Sequence, residues 1–287
     1  MGKLDIRRLG YACGAEVVGL DLRKRLDDEI IAEIKSAWLE HLVLCFRKQT
    51  LAPEEQVAFC GRFGELDDQR NSVRNRHPDY PAVQILSNKP LEVNEKMIGG
   101  NRFNFWHSDH AYTPRVQMAG FLHALVLPDI GGDTMFANQQ MAYESLSPKM
   151  QSIVASLEGI QERSAGVNRA VNKDERFIPP TAQRLVQVFP ETGRKTLYLG
   201  GYMRFFKGMT PGESKPILDF LSQHATRYEF IYRHRWAVGD LIMWNNRALM
   251  HYGVLDYDMT QRRLMQRCAL VGPKIGIPYE IEPALAS

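Results

Sequence analysis

The stretch YEFIYRHRWAVGDLIMWNNRALMHYGVLDYDMTQRRLMQRCALV, Tyr228–Val271, decides the fold class. It holds three apolar, strand-like runs, separated by Gly239-Asp240 and by the Met250–Thr260 region. Short runs closed by turn residues predict a β-sandwich or barrel. The same texture extends upstream. Val83–Leu86 is strand-like, and Met118–Leu127 is a longer apolar run stopped by Pro128 and the Gly131-Gly132-Asp133 turn. Leu185–Phe189 and Thr196–Leu199 flank a hairpin signal at Pro190–Lys195. Helical spacing appears mainly near the N-terminus. Asp27 precedes Ile30, Ile34, Ala37 and Trp38, the strand-like Val43–Phe46 follows, and Thr50–Gly64 reads as a second helix. Ser147-Pro148 opens a helix that ends near Gly159, and Thr210-Pro211 opens another. The expected fold is therefore mostly β with peripheral helices.

No repeat, low-complexity block or long linker divides the chain, so residues 1–287 read as one catalytic-sized domain. Two segments lack periodicity, Gln69–Pro81 and Gly166–Pro180, and the second reads as an inserted lid near 166–180. Lys plus Arg is 36 and Asp plus Glu is 33, a net charge of +3, too small to argue for nucleic acid or a membrane surface as partner. No apolar run is long enough to span a bilayer, and the N-terminus has no secretory h-region. Cys13, Cys45, Cys60 and Cys268 have no CxxC spacing and read as reduced, buried thiols of a cytoplasmic protein.

Most of the eight histidines have no ligand-like neighbours: His41, His77, His123, His224 and His234 read as surface or core residues. His107 differs, because it lies in Phe105-Trp-His107-Ser-Asp109. On an extended segment an HxD pair puts both side chains on one face. Alone that pair is weak evidence, but His251 follows downstream. Two histidines and one carboxylate make the facial triad of non-haem Fe(II) oxygenases, which leaves coordination positions open. A structural zinc site would want four protein ligands, usually including cysteine, and none is near. Arg263 and Arg267, four apart on a strand, both face one side and suit bidentate binding of carboxylates. The bland alternative is a solvated basic edge strand; Arg262 alternates with Arg263 and would face outward.

With these residues in place, the sequence resembles the taurine / 2,4-dichlorophenoxyacetate dioxygenase family of Fe(II)- and 2-oxoglutarate-dependent oxygenases. The likeness runs through Gly14–Leu22, Leu44–Arg47, Phe59–Gly64, Trp106–Asp109, Pro128, Gly131-Gly-Asp-Thr134, Ala142-Tyr143, Thr192–Lys195, Trp236–Arg247, His251, Arg263 and Arg267. The resemblance implies a double-stranded β-helix, a cupin-like jelly roll. It implies His107, Asp109 and His251 as iron ligands, with 2-oxoglutarate and dioxygen as co-substrates. It places Thr134 and Arg263 on the distal carboxylate of 2-oxoglutarate, and Arg267 near the proximal carboxylate or the substrate's own anion. It also implies a homodimer or homotetramer. Asn245 stands where the family usually has Asp. The twelve residues from His251 to Arg263 look one longer than is common. A one-residue bulge around Leu255–Thr260 absorbs the difference; without it Arg262 replaces Arg263.

In the resembling enzymes the substrate pocket draws on the loop before HxD, the segment after the second helix and a lid. Here these are Ile98–Phe105, Gln69–Asn88 and Gly166–Pro180, with Asn88, Asn101, Phe103 and Arg267 as substrate candidates. Arg70, Arg74, Arg76 and His77 form a basic cluster, which reads first as a solvated loop and second as anion capture. Phe103, Phe105, Tyr112 and Phe205 offer an apolar wall. The expected substrate is a small organic anion with an apolar or aromatic body: an aryloxyalkanoate, sulfonate or sulfate ester, with C–O or C–S cleavage after hydroxylation. A neutral natural product or amino-acid derivative is the alternative within the class. Outside it stand a non-catalytic metabolite-binding jelly roll and a zinc hydrolase with Glu144 as base. Asp109 argues against a halogenase, which would have a small residue there.

Overall fold

A computed structural model describes residues 4–68, 75–93, 96–98, 104–163 and 178–280. Seven strands form the larger sheet, in the order Asp5–Arg8, Ala15–Val18, Val43–Phe46, Leu241–Asn245, Arg115–Val126, Leu264–Lys274 and Gln84–Ser87. All neighbours in it are antiparallel except Ala15–Val18 with Val43–Phe46. Opposite lies a three-stranded sheet of Ile231–His234, Thr134–Asn138 and Leu249–Gly253. A four-stranded sheet joins Met203–Phe206, Glu158–Gln161, Thr181–Arg184 and Ile277–Pro278. The fold is the jelly roll, mostly strand with helices at its periphery.

Alternation along the strands builds two cores from one sheet. Leu241 and Met243 face the helices Asp28–His41 and Pro53–Cys60, where they pack with Ile34, Trp38, Phe59 and Leu270. Ile242 and Trp244 face the other way and pack with Leu122, Phe136 and Met265 between the sheets. Thr134–Asn138 and Leu249–Gly253 alternate likewise: Phe136 faces inward, whereas Ala137 and Met250 pack outward against the helices Gln139–Glu144 and Pro211–Ala225. One face of the small sheet therefore carries the interior that holds His251. Trp244 fits because its strand partner is Gly120, where a Cβ would come within 2.1 Å of the indole.

Several expected boundaries shift. The second helix starts at Pro53, with Ala52 in the cap position, and ends in a 3-10 turn at Gly61–Phe63 rather than running from Thr50. The helix opened by Ser147 stops at Ala155, so Gly159 lies in the strand Glu158–Gln161. The Met250–Thr260 region is not a connection throughout, because Leu249–Gly253 is itself a strand. Its apolar run is short, and ladder pairing with Thr134–Asn138 makes it a strand where local pattern does not. His107 forms a single antiparallel bridge with His251, while Asp109 already belongs to a turn, so HxD is not one extended segment.

Candidate active site

The bridge between His107 and His251 is the foundation of the site. Each backbone N–H donates to the other's carbonyl, His107 to His251 at 3.0 Å and His251 to His107 at 2.8 Å. This pairing sets the two imidazoles side by side, with centroids 4.2 Å apart and planes inclined at 46°. Ser108 Oγ donates to the Leu249 carbonyl at 2.9 Å and fastens the turn to the same strand. The turn brings Asp109 back over the rings, with Oδ1 3.6 Å from His107 Nε2 and Oδ2 3.7 Å from His251 Nε2. Nitrogen and oxygen atoms of all three side chains lie within 4.8 Å of one another.

Each ligand is oriented by a partner. His107 Nδ1 donates to the Phe105 carbonyl at 2.8 Å, which makes Nε2 the lone-pair nitrogen that points toward Asp109. His251 is held by rings instead: Trp244 at 5.2 Å and Phe136 at 6.2 Å between centroids. Burial pushes its pKa down to about 3, against the pull of Asp109, so the ring is neutral and able to coordinate. Burial pushes the Asp109 carboxyl upward, yet Arg267, His251 and His107 together hold it well below the usual range. Two imidazoles and a fixed carboxylate are a donor set that suits Fe(II).

A second polar feature lies at the Gly131–Thr134 turn. Arg263 Nε donates to the Gly132 carbonyl at 3.1 Å, and Arg263 N donates to Asn88 Oδ1 at 2.8 Å. Its terminal nitrogens meet no acceptor among the described residues, and burial lowers its pKa. Thr134 Oγ1 accepts from the Trp236 indole at 3.0 Å, so its own proton is left to donate. A hydroxyl donor and a poorly compensated guanidinium at one turn suit a carboxylate. The glycines are required there: Gly131 has φ +81° and a Cβ would lie 2.3 Å from the Asp256 carbonyl.

Arg263, not Arg262, reaches this turn. The interval from His251 is taken up by an irregular turn over residues 254–263, not by a bulge at Leu255–Thr260. A bulge does occur farther on, where Leu264 pairs with Val126 and Met265 with Ala124, but the extra residue, Leu125, is on the partner strand. Arg267 is buried and donates to Asp109 Oδ2 at 2.9 Å. The carboxamide of Asn88 is spent on Arg263 N and on the Gln261 carbonyl, so it holds the start of the Arg263 strand instead of offering a free group to substrate. Asn101, Phe103, Arg70 and Arg74 lie outside the described residues, as does most of the lid, 164–177. Phe205 packs with Ile160 and Ala182 in a separate cluster and is not part of the wall beside the metal ligands. Glu144 is half-exposed and paired with Arg194 on an outer helix, which removes it as a hydrolytic base.

Sequence reasoning missed Tyr202, whose ring lies 5.9 Å from His107, 5.3 Å from Phe105 and 4.8 Å from Tyr112. It completes the aromatic wall, and only its Gly200-Gly201 approach hinted at it: a Cβ on Gly201 would meet Phe105 at 2.6 Å. Asn246 stands out in the sequence only as part of a motif, yet it clamps Asp109, accepting from its N–H and donating to its carbonyl, both at 2.9 Å. A second histidine-acid-cysteine cluster, Cys45, His234 and Asp240, is also buried. There Arg47 already neutralises Asp240 at 2.5 Å, so a cation has no unmet charge to answer.

Comparison with known proteins agrees with this geometry. The family model described as "Taurine catabolism dioxygenase TauD, TfdA family" matches residues 5–269. The α-ketoglutarate-dependent 2,4-dichlorophenoxyacetate dioxygenase of Cupriavidus pinatubonensis is 33% identical over 90% of this chain and 93% of that protein. An alkylsulfatase of Acinetobacter baylyi is 31% identical over 94% of this chain and 86% of that protein. The crystal structure of AAD-2 in complex with Mn(II) and N-oxalylglycine superposes with a TM-score of 0.86 at 30% identity, covering 96% of this chain and all of that one.

Proposed function

The chain belongs to the TauD/TfdA family of 2-oxoglutarate-dependent dioxygenases, and from that premise we propose that it hydroxylates a C–H bond of a small organic anion with an apolar or aromatic body. His107, Asp109 and His251 hold Fe(II) in this reading, and Thr134 with Arg263 holds the distal carboxylate of 2-oxoglutarate. The observation that carries it is the convergence of three side chains within 4.8 Å of one another, together with a turn where the Thr134 hydroxyl proton and the terminal nitrogens of Arg263 meet no acceptor among the described residues. Bound together, Fe(II), 2-oxoglutarate and dioxygen supply the oxidant that the side chains themselves lack.

The protein's own residues do the rest. Phe105 and the His107–His251 bridge fix the imidazoles, Asn246 fixes the turn under Asp109, and Arg267 compensates the carboxylate. Phe105, Tyr112 and Tyr202 form an apolar wall that excludes water and takes the body of the substrate. An anionic substrate is supported by the relatives named for 2,4-dichlorophenoxyacetate and alkyl sulfates. Where the hydroxylated carbon bears oxygen, the product collapses with C–O cleavage. The homodimer or homotetramer reading rests on the family resemblance.

The test is anaerobic titration of metal-free protein with Fe(II) and then 2-oxoglutarate, followed by a panel of substrates scored for succinate. A weak visible charge-transfer band that needs both additions is expected, together with turnover of aryloxyalkanoates or alkyl sulfates. No band with Fe(II) shown to be bound rejects the co-substrate site. Turnover confined to neutral compounds rejects the anionic substrate.

A further inference from the structure

The metal-binding carboxylate sits in a closed ring of hydrogen bonds. Asn246 holds the Asp109 backbone at both its N–H and its carbonyl, and the same Asn246 Nδ2 donates to the Gln117 carbonyl at 3.0 Å. The Gln117 side chain closes the ring: its Oε1 accepts from Arg267 at 2.5 Å, and that Arg267 nitrogen also donates to Asp109 Oδ2 at 2.9 Å. The other end of the guanidinium donates to Gln84 Oε1 at 3.3 Å. Gln84, Gln117, Asn246 and Arg267 are all buried.

A glutamine amide can be inserted two ways round, and here one acid decides. Asp67 Oδ2 accepts from Gln117 Nε2 at 2.6 Å. A carboxylate only accepts, so the amide NH2 faces Asp67 and the carbonyl oxygen is left for Arg267. Turned round, the amide would press its NH2 on a guanidinium and its oxygen on a carboxylate. Asp67 is itself fixed, because its N–H donates to the Ala269 carbonyl at 2.9 Å, two residues beyond Arg267 on the same strand. His110 Nδ1 stands 3.2 Å from Gln117 Nε2 and 3.7 Å from Asp67 Oδ2 and adds no charge opposed to this polarity when neutral.

We propose that Gln117, oriented by Asp67, is the positioning residue for Arg267, holding its guanidinium against the metal-binding carboxylate and presenting it to the anion that binds beside the metal. The proposal rests on the reading that Arg267 serves such an anion, taken here as the metal-proximal carboxylate of 2-oxoglutarate. Gln117 touches neither ligand nor metal; it acts through Arg267. Outer partners of this kind typically change affinity by about 10–100-fold.

The experiment measures 2-oxoglutarate affinity of the Mn(II)-loaded protein by calorimetry, alongside KM and kcat for 2-oxoglutarate with Fe(II). Gln117→Leu and the near-isosteric Gln117→Glu are expected to weaken 2-oxoglutarate binding about tenfold. The loss should fall on KM more than on kcat. Adding Asp67→Asn to Gln117→Glu restores a donor facing an acceptor without changing net charge, and should recover most of the affinity. Arg267→Ala is the control. If it weakens 2-oxoglutarate binding while both Gln117 variants leave it intact, Gln117 is structural only and the proposal is overturned. If Arg267→Ala changes nothing, the role assigned to Arg267 falls, and the proposal with it. Should Gln117→Leu fail to fold, Gln117→Glu and its double variant still decide.

Discussion

At the scale of single residues, the site separates groups that coordinate from groups that donate. Asp109 is worth most to a cation because three positive or polar neighbours have kept it ionised in a buried place. Asp109→Asn keeps the shape and removes the charge, so metal titration should show Fe(II) affinity down at least about tenfold and substrate oxidation abolished; His107→Ala should abolish it as well. Normal turnover in either variant would sink the ligand assignment. Arg263 and Thr134 should behave differently, because in the proposed function they hold a co-substrate and not the metal. Arg263→Ala is expected to raise the 2-oxoglutarate requirement by about 10–100-fold, the worth of a charge-assisted pair, with Fe(II) binding retained. At Thr134 the hydroxyl proton is the point, since Trp236 already uses the oxygen as acceptor. Thr134→Ser should therefore keep the affinity and Thr134→Val should lose about five- to tenfold. Loss in Thr134→Ser with Thr134→Val unchanged would mean that the methyl group, not the hydroxyl, carries the contact.

At the scale of elements, two glycines show how strands and turns set those residues. Gly120 lies opposite Trp244 in the ladder, and the indole fills the space where a side chain would stand before packing under His251. Gly120→Ala forces Trp244 to move, and a core overfilled in this way loses about 1–3 kcal/mol. Gly131 lets the Asp256 carbonyl approach, while Asp256 Oδ1 accepts from the Gly132 N–H at 3.0 Å, so the two loops close on each other and carry Arg263 into reach. Gly131→Ala should lower the melting temperature and raise the 2-oxoglutarate KM together, whereas Gly120→Ala should act first on stability; a Gly131→Ala protein with wild-type KM would disconnect the turn from the site. Such turns were legible in the sequence because Gly-Gly-Asp and Ser-Pro carry their conformation locally. The strand Leu249–Gly253 was not, because its identity comes from pairing with Thr134–Asn138 rather than from its own pattern. The same limit hid Tyr202 and Asp67, which reach the site from parts of the chain distant from His107 and Asp109; Gln117 lies near Asp109 in sequence, but no spacing announces that its amide meets Arg267.

At the scale of the whole molecule, the sheets bury histidines that the chemistry does not use, and this has a thermodynamic consequence. The strand-rich body, its helical flank and a candidate ligand triad could be read from periodicity and motif, and the jelly roll from the family resemblance, but which imidazoles are buried depends on how the chain closes around them. Burial lowers the pKa of His41, His77, His123 and His234. His123 shows why: Nε2 donates to the Gln49 carbonyl at 3.1 Å, and Nδ1 is enclosed with no partner among the described residues, so a second proton would be buried unbonded. In the unfolded chain these rings titrate near the ordinary value of about 6.5, so below that pH the unfolded state binds more protons than the folded one. Stability must therefore fall as pH drops from about 6.5 toward the lowered folded-state values. The melting temperature of the metal-free protein should fall between pH 7 and pH 5. His123→Gln, whose amide can still donate to Gln49 but cannot titrate, should show a shallower slope by scanning calorimetry. A melting temperature that is flat or rising on acidification would mean that water reaches these rings and that the sheets are less tightly closed around them.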